Sequence, residues 1–377
     1  MNFLFTCGGT AGHINPALAV AGRLREWMPD CGILFVGANG KMETDLVPRA
    51  GYDILTVEVT NLHRSLKPSE IAYNLKSLSN VVSATHAAKQ IVKDFQPDVA
   101  IGTGGYVCYP VLKAAAQLGV PTVVHESNAV PGLTTKMLSG VVDRILVGFE
   151  ESRQHYADVK KVLVTGTPVR GAFSDCTQAE AKAYLGLPAD KPLVVSVWGS
   201  LGARRMNEMM TDFIALACEE PAFTLIHSAG KLGYERMTGA LAEKCPQAPE
   251  NCGMEVRPYI YDMPLVMDAA DLVLCRAGAS TLAELTCIGK PAILVPSPNV
   301  TNNHQECNAR VLERAGGAKV LLEGSFTAEM LYAMVRGLLD EPQQLSEMAQ
   351  NMKAAGVPDA ADRIAETILE LASGQKK

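Results

Sequence analysis

The sequence predicts an α/β protein built from two doubly wound domains with parallel sheets. Strand-like apolar runs alternate with helical stretches along the whole chain, which is the pattern of βαβ units. An apolar strand followed by a glycine loop and a helix occurs twice, about half a chain apart, in FLFTCGGTAGHINPALAVAGRL and LVVSVWGSLGARRMNEMMTDF. The length of 377 residues also favours two domains over a single core.

The composition restricts the class of function. Apolar residues make up 48% of the chain and charged residues 20%, which allows a large buried core. The net charge of −6 argues against nucleic acid as the main partner, because phosphate backbones select basic surfaces. The ten cysteines include no CxxC pair and lie mostly in apolar runs, as is typical of reduced core thiols in the cytoplasm. No apolar run is long enough to cross a bilayer, so any membrane contact is expected to be peripheral.

The first strand, FLFTC, leads into a glycine loop and a helix. The glycines of GGTAG let the backbone turn tightly and approach a ligand, and Asn15 and Pro16 are expected to start the helix. The second strand ends in Gly-Ala-Asn instead of the ribose-binding acid of dinucleotide folds, and the loop lacks the GK[ST] ending of a P-loop. His13 lies at the expected ligand edge, where it can be a general base, a phosphate ligand or a polar loop residue.

Two further motifs follow strands of the same half. In GTGGYVCYP, Gly104 and Gly105 can form an anion nest or only a tight turn. In HESNAVPGLTTK, the side chains of His125, Glu126 and Asn128 follow the apolar run TVV and so lie at the same carboxyl edge. Three polar groups at that edge are difficult to explain as core, although one of them can be a loop anchor.

Residues 276 to 305, RAGASTLAELTCIGKPAILVPSPNVTNNHQ, combine a glycine turn, a helix start with an acid and an amide cluster. A helix start offers unpaired amides and a partial positive charge to phosphates, so the combination suits a sugar nucleotide. Thr281 and Glu284 fit a capping box. Glu284 can instead accept two hydrogen bonds from a ribose diol, and the pattern alone leaves both roles open.

The second half begins near VTGTPVRGAF, where glycine and proline cluster. Its glycine loop, WGSLGARR, places Arg204 and Arg205 in the first helical turn. Cations there oppose the helix dipole by roughly 0.3 to 1 kcal/mol each, so either an anion binds nearby or both side chains point into solvent. The sequence contains no Asp-x-Asp pair, so a leaving diphosphate would be neutralised by helix ends and backbone amides and not by bound magnesium.

The ordered motifs GGTAGHINP, GTGGYV, HESNAVPGLTTK, GTPVR, GSLGARRMN, RAGASTLAE and NNHQECNA resemble the bacterial MurG glycosyltransferase family over nearly the whole chain. The resemblance implies a GT-B fold, in which two Rossmann-like domains face each other across a cleft. It implies an N-terminal acceptor and membrane-side domain of residues 1–165 with a returning helix at 358–377, and a donor domain of residues 166–357. Trp198 and Ala11 stand where the family often has glycine, which affects loop shape more than chemistry.

The resemblance also implies an activity at the cytoplasmic face of the cell membrane, with the protein bound peripherally. N-acetylglucosamine would pass from UDP-N-acetylglucosamine to the muramyl 4-hydroxyl of undecaprenyl-diphosphate-N-acetylmuramyl-pentapeptide, with inversion and without a metal or cofactor. This step belongs to peptidoglycan synthesis, so other cell-wall synthesis proteins are expected partners.

Positions carried over from the family give the expected contacts. His13 is the first candidate for the base that takes the acceptor proton, and Glu126 is the second. The acceptor diphosphate is expected at Gly9, Gly104, Gly105 and Tyr106. The Ile260 backbone would bind the uracil, Glu284 the ribose and Ser200 a phosphate, while Asn128 and Gln305 would orient the sugar. The full set expected at UDP-N-acetylglucosamine is Thr10, Ala11, Gly12, Asn128, Arg170, Ser200, Ile260, Ala279, Ser280, Thr281, Leu282, Ala283, Glu284 and Gln305.

The membrane contact is expected on residues 64 to 82. This stretch carries basic residues beside apolar residues at helical spacing, a pattern of interfacial helices and also of ordinary core. The basic residues are Arg64, Lys67 and Lys76, and the apolar ones are Ile71, Leu75, Leu78 and Val82.

Two other functions remain open on the sequence. One is UDP-N-acetylglucosamine 2-epimerisation on the same fold, which needs no lipid. The other is a nonenzymatic regulator that binds a UDP-sugar. Neither accounts as well for two glycine loops together with HESN in the first half.

Overall fold

The computed structural model describes residues 1–59, 68–169, 176–199, 202–245 and 249–374, and residues 68–79 by their backbone. The chain divides into two compact units, unit 1 (Met1–Gly171 with Val357–Lys377) and unit 2 (Ala172–Gly356). The borders predicted from the sequence lie after residues 165 and 357.

Unit 1 contains a parallel sheet. Its strands are β1 (Asn2–Thr6), β2 (Gly32–Ala38), β3 (Asp53–Val57), β4 (Val99–Gly102), β5 (Thr122–Glu126), β6 (Arg144–Val147) and β7 (Val162–Val164). They lie in the order β3-β2-β1-β4-β5-β6-β7. Phe3 of β1 pairs with Ile33 on one side and Val99 on the other. Because Phe3, Leu4 and Phe5 are fully buried, β1 reads as a continuous apolar run, as a central parallel strand requires.

The helices of unit 1 connect these strands. They are α1 (Ala11–Trp27), α2 (Glu43–Arg49), α3 (Pro68–Phe95), α4 (Cys108–Gln117) and α5 (Leu133–Leu138), with short 3-10 helices at Glu150–His155 and Val159–Lys161. The prediction that Asn15 and Pro16 start α1 is wrong. Thr10 is the N-cap because its backbone is extended (φ −146°), and Pro16 lies inside the helix. The amides of Ala11 and Gly12 therefore belong to the first helical turn.

Unit 2 contains a second parallel sheet. Its strands are β8 (Leu193–Val197), β9 (Thr224–Ser228), β10 (Met254–Arg257), β11 (Leu272–Cys275), β12 (Ala292–Leu294) and β13 (Ala318–Val320), in the order β10-β9-β8-β11-β12-β13. Its helices are α6 (Gln178–Tyr184), α7 (Arg204–Glu219), α8 (Tyr234–Lys244), α9 (Met263–Ala269), α10 (Ala279–Ile288), α11 (His304–Arg314), α12 (Ala328–Leu339) and α13 (Pro342–Ala354). Short 3-10 helices lie at Pro249–Cys252 and Thr301–Asn303.

The last helix, α14 (Ala360–Gly374), belongs to unit 1 and lies within the returning helix expected at 358–377. Ile364 and Ile368 are buried in the same apolar cluster as α1 and β1. An ion pair between Arg23 of α1 and Asp362 links the two helices at the surface. Within the described ranges, no helix combines the length and apolar character needed to span a bilayer.

The strand order places a crevice in each unit. In unit 1 the order reverses between β1 and β4, and in unit 2 it reverses between β8 and β11. Connections on either side of such a reversal leave toward opposite faces of the sheet and open a space at the carboxyl ends of the strands. The glycine loops of the sequence follow these four strands, so the fold brings them together in pairs.

Candidate functional site

Unit 2 has a cavity of about 1110 Å³ at the reversal point of its sheet. The loops after β8 and β11 form two of its walls, and Ile260 and Gln305 contribute from other connections. Position and size both fit a small-molecule site of an open α/β sheet.

Glu284 lies in the wall of this cavity, on α10. The predicted capping box is wrong, because Gly278 is the N-cap and its backbone carries the chain into the helix without a side-chain cap bond. Thr281 and Glu284 are therefore both inside the helix. Burial raises the pKa of Glu284 to about 7. No hydrogen bond or ion pair joins its carboxyl to the described residues, so a ligand that offers hydroxyl donors would meet an unused acceptor.

The start of α10 also fits an anion. Its first-turn amides lack helical partners, and the Ser280 hydroxyl is buried without a hydrogen-bond partner in the described part of the chain. Of the predicted run Ala279 to Glu284, Thr281 and Glu284 line the cavity. Leu282 offers it nothing, because its side chain is 1% exposed and its amide donates to the Gly278 carbonyl.

Gln305 and Ile260 present defined groups to the cavity. The Gln305 Oε1 atom accepts a hydrogen bond from the Ser297 amide at 2.9 Å, and its Nε2 group has no hydrogen-bond partner among the described residues. Ile260 also lines the cavity, and its residue is 2% exposed.

Several charged groups of the cavity were not predicted as site residues. Arg276 forms an ion pair with Glu323 at 2.5 Å, donates to the Val295 carbonyl at 3.1 Å and lies 5.8 Å from the centre of the Trp198 ring. Arg276 directly precedes the glycine turn and could have been found from that position. Glu323 follows β13, and nothing in its local sequence indicates a site.

The two arginines of WGSLGARR both line the cavity but differ in their partners. Arg204 forms an exposed ion pair with Glu208 at 2.9 Å. Arg205 forms no ion pair with another described residue. Its guanidinium lies beside Gly324, where an added Cβ would come within 3.1 Å of it. Arg205 is therefore the arginine of the pair that is available to an anion.

In unit 1 the two predicted glycine loops contact each other at the reversal point. The Gly8 amide donates to the Gly104 carbonyl at 3.1 Å. Gly105 has φ +92°, and a Cβ there would lie 2.4 Å from the Gly8 carbonyl oxygen. Only glycine allows this approach.

His13 lies between these loops with a defined ring orientation. Its Nδ1 atom is 2.9 Å from the Gly8 carbonyl oxygen, which can only accept, so Nδ1 carries the proton of the neutral ring. Nε2 then has a free lone pair. The ring packs against Gly104, where a Cβ would lie 2.4 Å from Cδ2. A general base requires such an unprotonated nitrogen. The Thr103 hydroxyl donates to the His13 carbonyl at 2.7 Å and so fixes the backbone of His13.

Glu126 is buried and its carboxylate is fully occupied. One oxygen accepts from the amide and the side chain of Asn128, at 3.0 and 2.9 Å. The other accepts from the Gly132 amide at 2.9 Å and the Thr135 hydroxyl at 2.8 Å. Four donors on one carboxylate are the geometry of a loop anchor, and they argue against Glu126 as the base.

His125 is also a structural residue. Its Nε2 atom lies 2.9 Å from the Gly166 carbonyl oxygen, and burial lowers its pKa, so the ring is neutral. Of the three polar groups in HESN, Asn128 is the one that remains partly exposed.

Other predicted site residues have mixed outcomes. Gly9, expected near the acceptor diphosphate, donates its amide to Glu43 at 3.0 Å. Tyr106 is 40% exposed beside the second loop. Arg170 and Ser200 lie outside the described residues. Across the described ranges, no group of three or more His, Cys, Asp or Glu residues is arranged to hold a metal ion.

The membrane stretch of residues 64 to 82 falls mostly outside the description. Arg64 and Lys67 are not described, and the side chains of Ile71, Leu75, Lys76 and Leu78 are not described either. Val82, on α3, is 67% exposed.

Comparison with known proteins gives a consistent family. Residues 3–147 match the Glycosyltransferase family 28 N-terminal domain and residues 193–364 match its C-terminal domain. A protein of Acetivibrio thermocellus is 41% identical over 372 residues, 98% of each chain. One of Thermoanaerobacter sp. is 43% identical over 364 residues, 97% of this chain and 98% of the relative. Both are named UDP-N-acetylglucosamine--N-acetylmuramyl-(pentapeptide) pyrophosphoryl-undecaprenol N-acetylglucosamine transferase.

Solved structures agree with the sequence relatives. The crystal structure of Acinetobacter baumannii MurG has a TM-score of 0.77 at 28% identity and covers 98% of this chain and 99% of its own. A UDP-GlcNAc 2-epimerase from Neisseria meningitidis, bound to UDP-GlcNAc, has a TM-score of 0.63 at 15% identity over 98% of this chain and 100% of its own. The second likeness shows a shared fold.

Proposed function

Because the chain belongs to glycosyltransferase family 28, we propose that it transfers N-acetylglucosamine from UDP-N-acetylglucosamine to a lipid-linked N-acetylmuramyl-pentapeptide, the reaction named for its relatives. The acceptor is undecaprenyl-diphosphate-linked, and the product is the corresponding disaccharide lipid. The observation that carries the proposal is near-full-length identity of 41 to 43% to transferases of that name.

The cavity of unit 2 is the proposed donor site. The Glu284 carboxylate would accept from the ribose hydroxyls, and the Ile260 backbone would pair with the uracil. The α10 start and Arg205 would bind the diphosphate. The Gln305 Nε2 group would donate to the sugar, since its oxygen is already used. Each ligand group then meets a protein group that lacks a partner in the described structure.

The proposed chemistry is a single displacement at the anomeric carbon. The muramyl 4-hydroxyl forms the new C–O bond while the bond from the anomeric carbon to the diphosphate oxygen breaks, and UDP leaves with the electron pair. The hydroxyl proton passes to Nε2 of His13, the nitrogen that the Gly8 contact keeps unprotonated. One displacement inverts the anomeric configuration.

The acceptor loops of unit 1 are the proposed diphosphate site of the lipid. The amides of Ala11 and Gly12 lie in the first turn of α1, and Gly104 and Gly105 precede α4. Backbone amides at two helix starts suit a diphosphate. Gly9 contributes its conformation to the loop, since its amide is used by Glu43.

A lipid acceptor places the enzyme at a membrane surface. We propose that residues 64 to 82 form the contact, on the basis of the sequence pattern and the exposed Val82. Replacing Leu75 and Leu78 by glutamate is expected to reduce binding to anionic vesicles in a sedimentation assay. The reasoning fails if the variant stays folded and binds as well as the parent.

The function is tested by following labelled sugar. The protein is incubated in EDTA with UDP-[14C]-N-acetylglucosamine and the lipid-linked muramyl pentapeptide, then extracted into an organic solvent. Label in the lipid phase, dependent on added acceptor, is the expected result. Label that appears as UDP-N-acetylmannosamine or free sugar without acceptor would indicate the epimerase, whose fold is shared. Donor binding without any product would indicate a regulator.

A further inference from the structure

One peptide unit of the first glycine loop is held by hydrogen bonds at both ends. The N–H group of the peptide between Gly8 and Gly9 donates to the Oε2 atom of Glu43 at 3.0 Å. The carbonyl of the same peptide is Gly8 O, which accepts from Nδ1 of His13 at 2.9 Å. The carboxylate, the peptide and the imidazole therefore form one continuous chain of hydrogen bonds.

Glu43 is built into the fold at this point. The residue is 0% exposed and its Oε1 atom accepts from the Ala38 amide at 2.9 Å, at the end of β2. A Cβ at Gly8 would lie 2.4 Å from Oε1, and a Cβ at Gly37 would lie 2.6 Å from Cγ. Gly8, in the loop after β1, and Gly37, near the end of β2, thus leave room for this carboxylate.

We propose that Glu43 is a positioning residue for His13, which acts through the Gly8–Gly9 peptide and not by contact with either substrate. The proposal rests on the role of His13 in the proposed function. Glu43 fixes the direction of the peptide, the peptide carbonyl fixes the proton on Nδ1, and Nε2 is thereby left free to accept the acceptor proton.

The peptide needs an external restraint because it is flanked by two glycines. Gly9 has φ +87°, and glycine rotates between such conformations at little cost. If the peptide turned over, its carbonyl would leave His13 and the proton could move to Nε2, which would abolish the lone pair. A chain of hydrogen bonds also polarises each member, so the carboxylate strengthens the bond that Gly8 accepts from the ring.

The thiols of Cys7 and Cys108 interact electrostatically with Glu43, and burial raises the pKa of both, that of Cys108 to about 12. Both are neutral at the working pH. The Cys108 thiol donates to the carbonyls of Gly104 and Thr6, away from the peptide.

The first test reads the ring tautomer, independently of activity. Two-bond 1H–15N spectra of the full-length protein labelled with 15N-histidine resolve the seven histidines, and a His13→Gln variant assigns the signal. The proton of His13 is expected on Nδ1 in the parent and increasingly on Nε2 in Glu43→Gln, whose amide can satisfy only one of the two backbone N–H groups. An unchanged tautomer in a folded Glu43→Gln protein would overturn the proposal.

The second test measures turnover in two backgrounds. Loss of a residue that orients a metal ligand typically costs about 10- to 100-fold, and the same range is expected for a residue that orients a base. Glu43→Gln is expected to lower kcat by that factor with unchanged affinity for UDP-N-acetylglucosamine, and to cost nothing further in a His13→Ala background. Equal losses in both backgrounds would mean that Glu43 does not act through His13.

Controls separate positioning from folding. Asp98→Asn alters a carboxylate that accepts from the Asn2 amide at 2.8 Å, at the other end of β1, and it should change neither the tautomer nor kcat. If Glu43→Gln does not fold, Glu43→Asp keeps the charge but is too short to reach Gly9, and it should show the same tautomer change. Full turnover in His13→Ala would refute the role of His13 as the base. The tautomer measurement would still test whether Glu43 fixes the proton on Nδ1 of His13.

Discussion

Replacing Glu284 by glutamine is expected to stabilise the ligand-free protein above pH 7. Burial raises the pKa of this carboxyl from 4.5 to about 7, so the folded protein binds the proton more tightly than the unfolded chain does. Below pH 4.5 the group is protonated in both states and costs nothing. The destabilisation grows between pH 4.5 and 7 and is complete above pH 7. Glutamine is neutral throughout and avoids it.

The size of the effect follows from the two pKa values. At about 1.4 kcal/mol for each pH unit between 4.5 and about 7, the cost reaches about 3.5 kcal/mol as an upper value. For a domain of the size of unit 2, each kcal/mol shifts Tm by roughly 2 to 4 °C. Glu284→Gln is therefore expected to raise the Tm of unit 2 by about 7 to 14 °C at most at pH 8. It should leave Tm unchanged at pH 4.

The same substitution should weaken donor binding. A hydrogen bond to a charged group contributes roughly 1.5 to 3 kcal/mol, so loss of the carboxylate is expected to raise the Kd of UDP-N-acetylglucosamine about 10- to 100-fold. Thermal unfolding at pH 4 and pH 8, with and without UDP, identifies the transition of unit 2 and measures both effects. Glu243→Gln, an exposed change on α8, is the control. Equal Tm values for Glu284→Gln and the parent at pH 8 would refute the inference that the Glu284 carboxyl is desolvated and lacks a partner.

Three further substitutions separate the roles of the site residues. His13→Ala is expected to lower kcat by about 10² to 10⁴ while calorimetry shows unchanged donor binding, and unchanged kcat would remove His13 as the base. Gln305→Glu keeps an oxygen for the Ser297 amide but loses the free donor, so donor affinity should fall about 10-fold, and full affinity would show that Nε2 does not contact the donor. Glu126→Ala leaves four donors without their acceptor and should destabilise unit 1 by at least about 2 kcal/mol, measured by urea unfolding. Lost turnover at unchanged stability would instead restore Glu126 as a catalytic candidate.

The sequence was sufficient for the family and the fold class, which the comparisons confirm. Apolar strands and the glycine loops that follow them are local features of the sequence. Because the strands are parallel, these loops all lie at the carboxyl edges of the sheets. The meeting of GGTAGH with GTGGY follows in this way, because β1 and β4 are neighbours at the reversal point.

The partners of individual polar groups could not be predicted, because they depend on three-dimensional packing. The predicted capping box at Thr281 was wrong because the helix already begins at Ala279, with Gly278 as its N-cap. Thr281 therefore lies inside the helix. Glu126 lies at the carboxyl edge of the sheet, where a base is expected. The sequence spacing does not reveal that four hydrogen-bond donors surround its carboxylate. Glu43 opens a helix beyond the second strand, and its sequence KMETDL reads as an exposed helix start, whereas the fold buries it beneath Gly9.

The anomeric configuration of the product tests the account most directly. UDP-N-acetylglucosamine carries an α-linked sugar, and a single displacement assisted by one base must give a β-linked disaccharide lipid. The lipid product of a reaction in EDTA is purified, and the coupling of its anomeric proton is measured by NMR. The large coupling of a β-linkage at the muramyl 4-position is predicted. An α-linkage, or the absence of any lipid-linked disaccharide, would contradict the account.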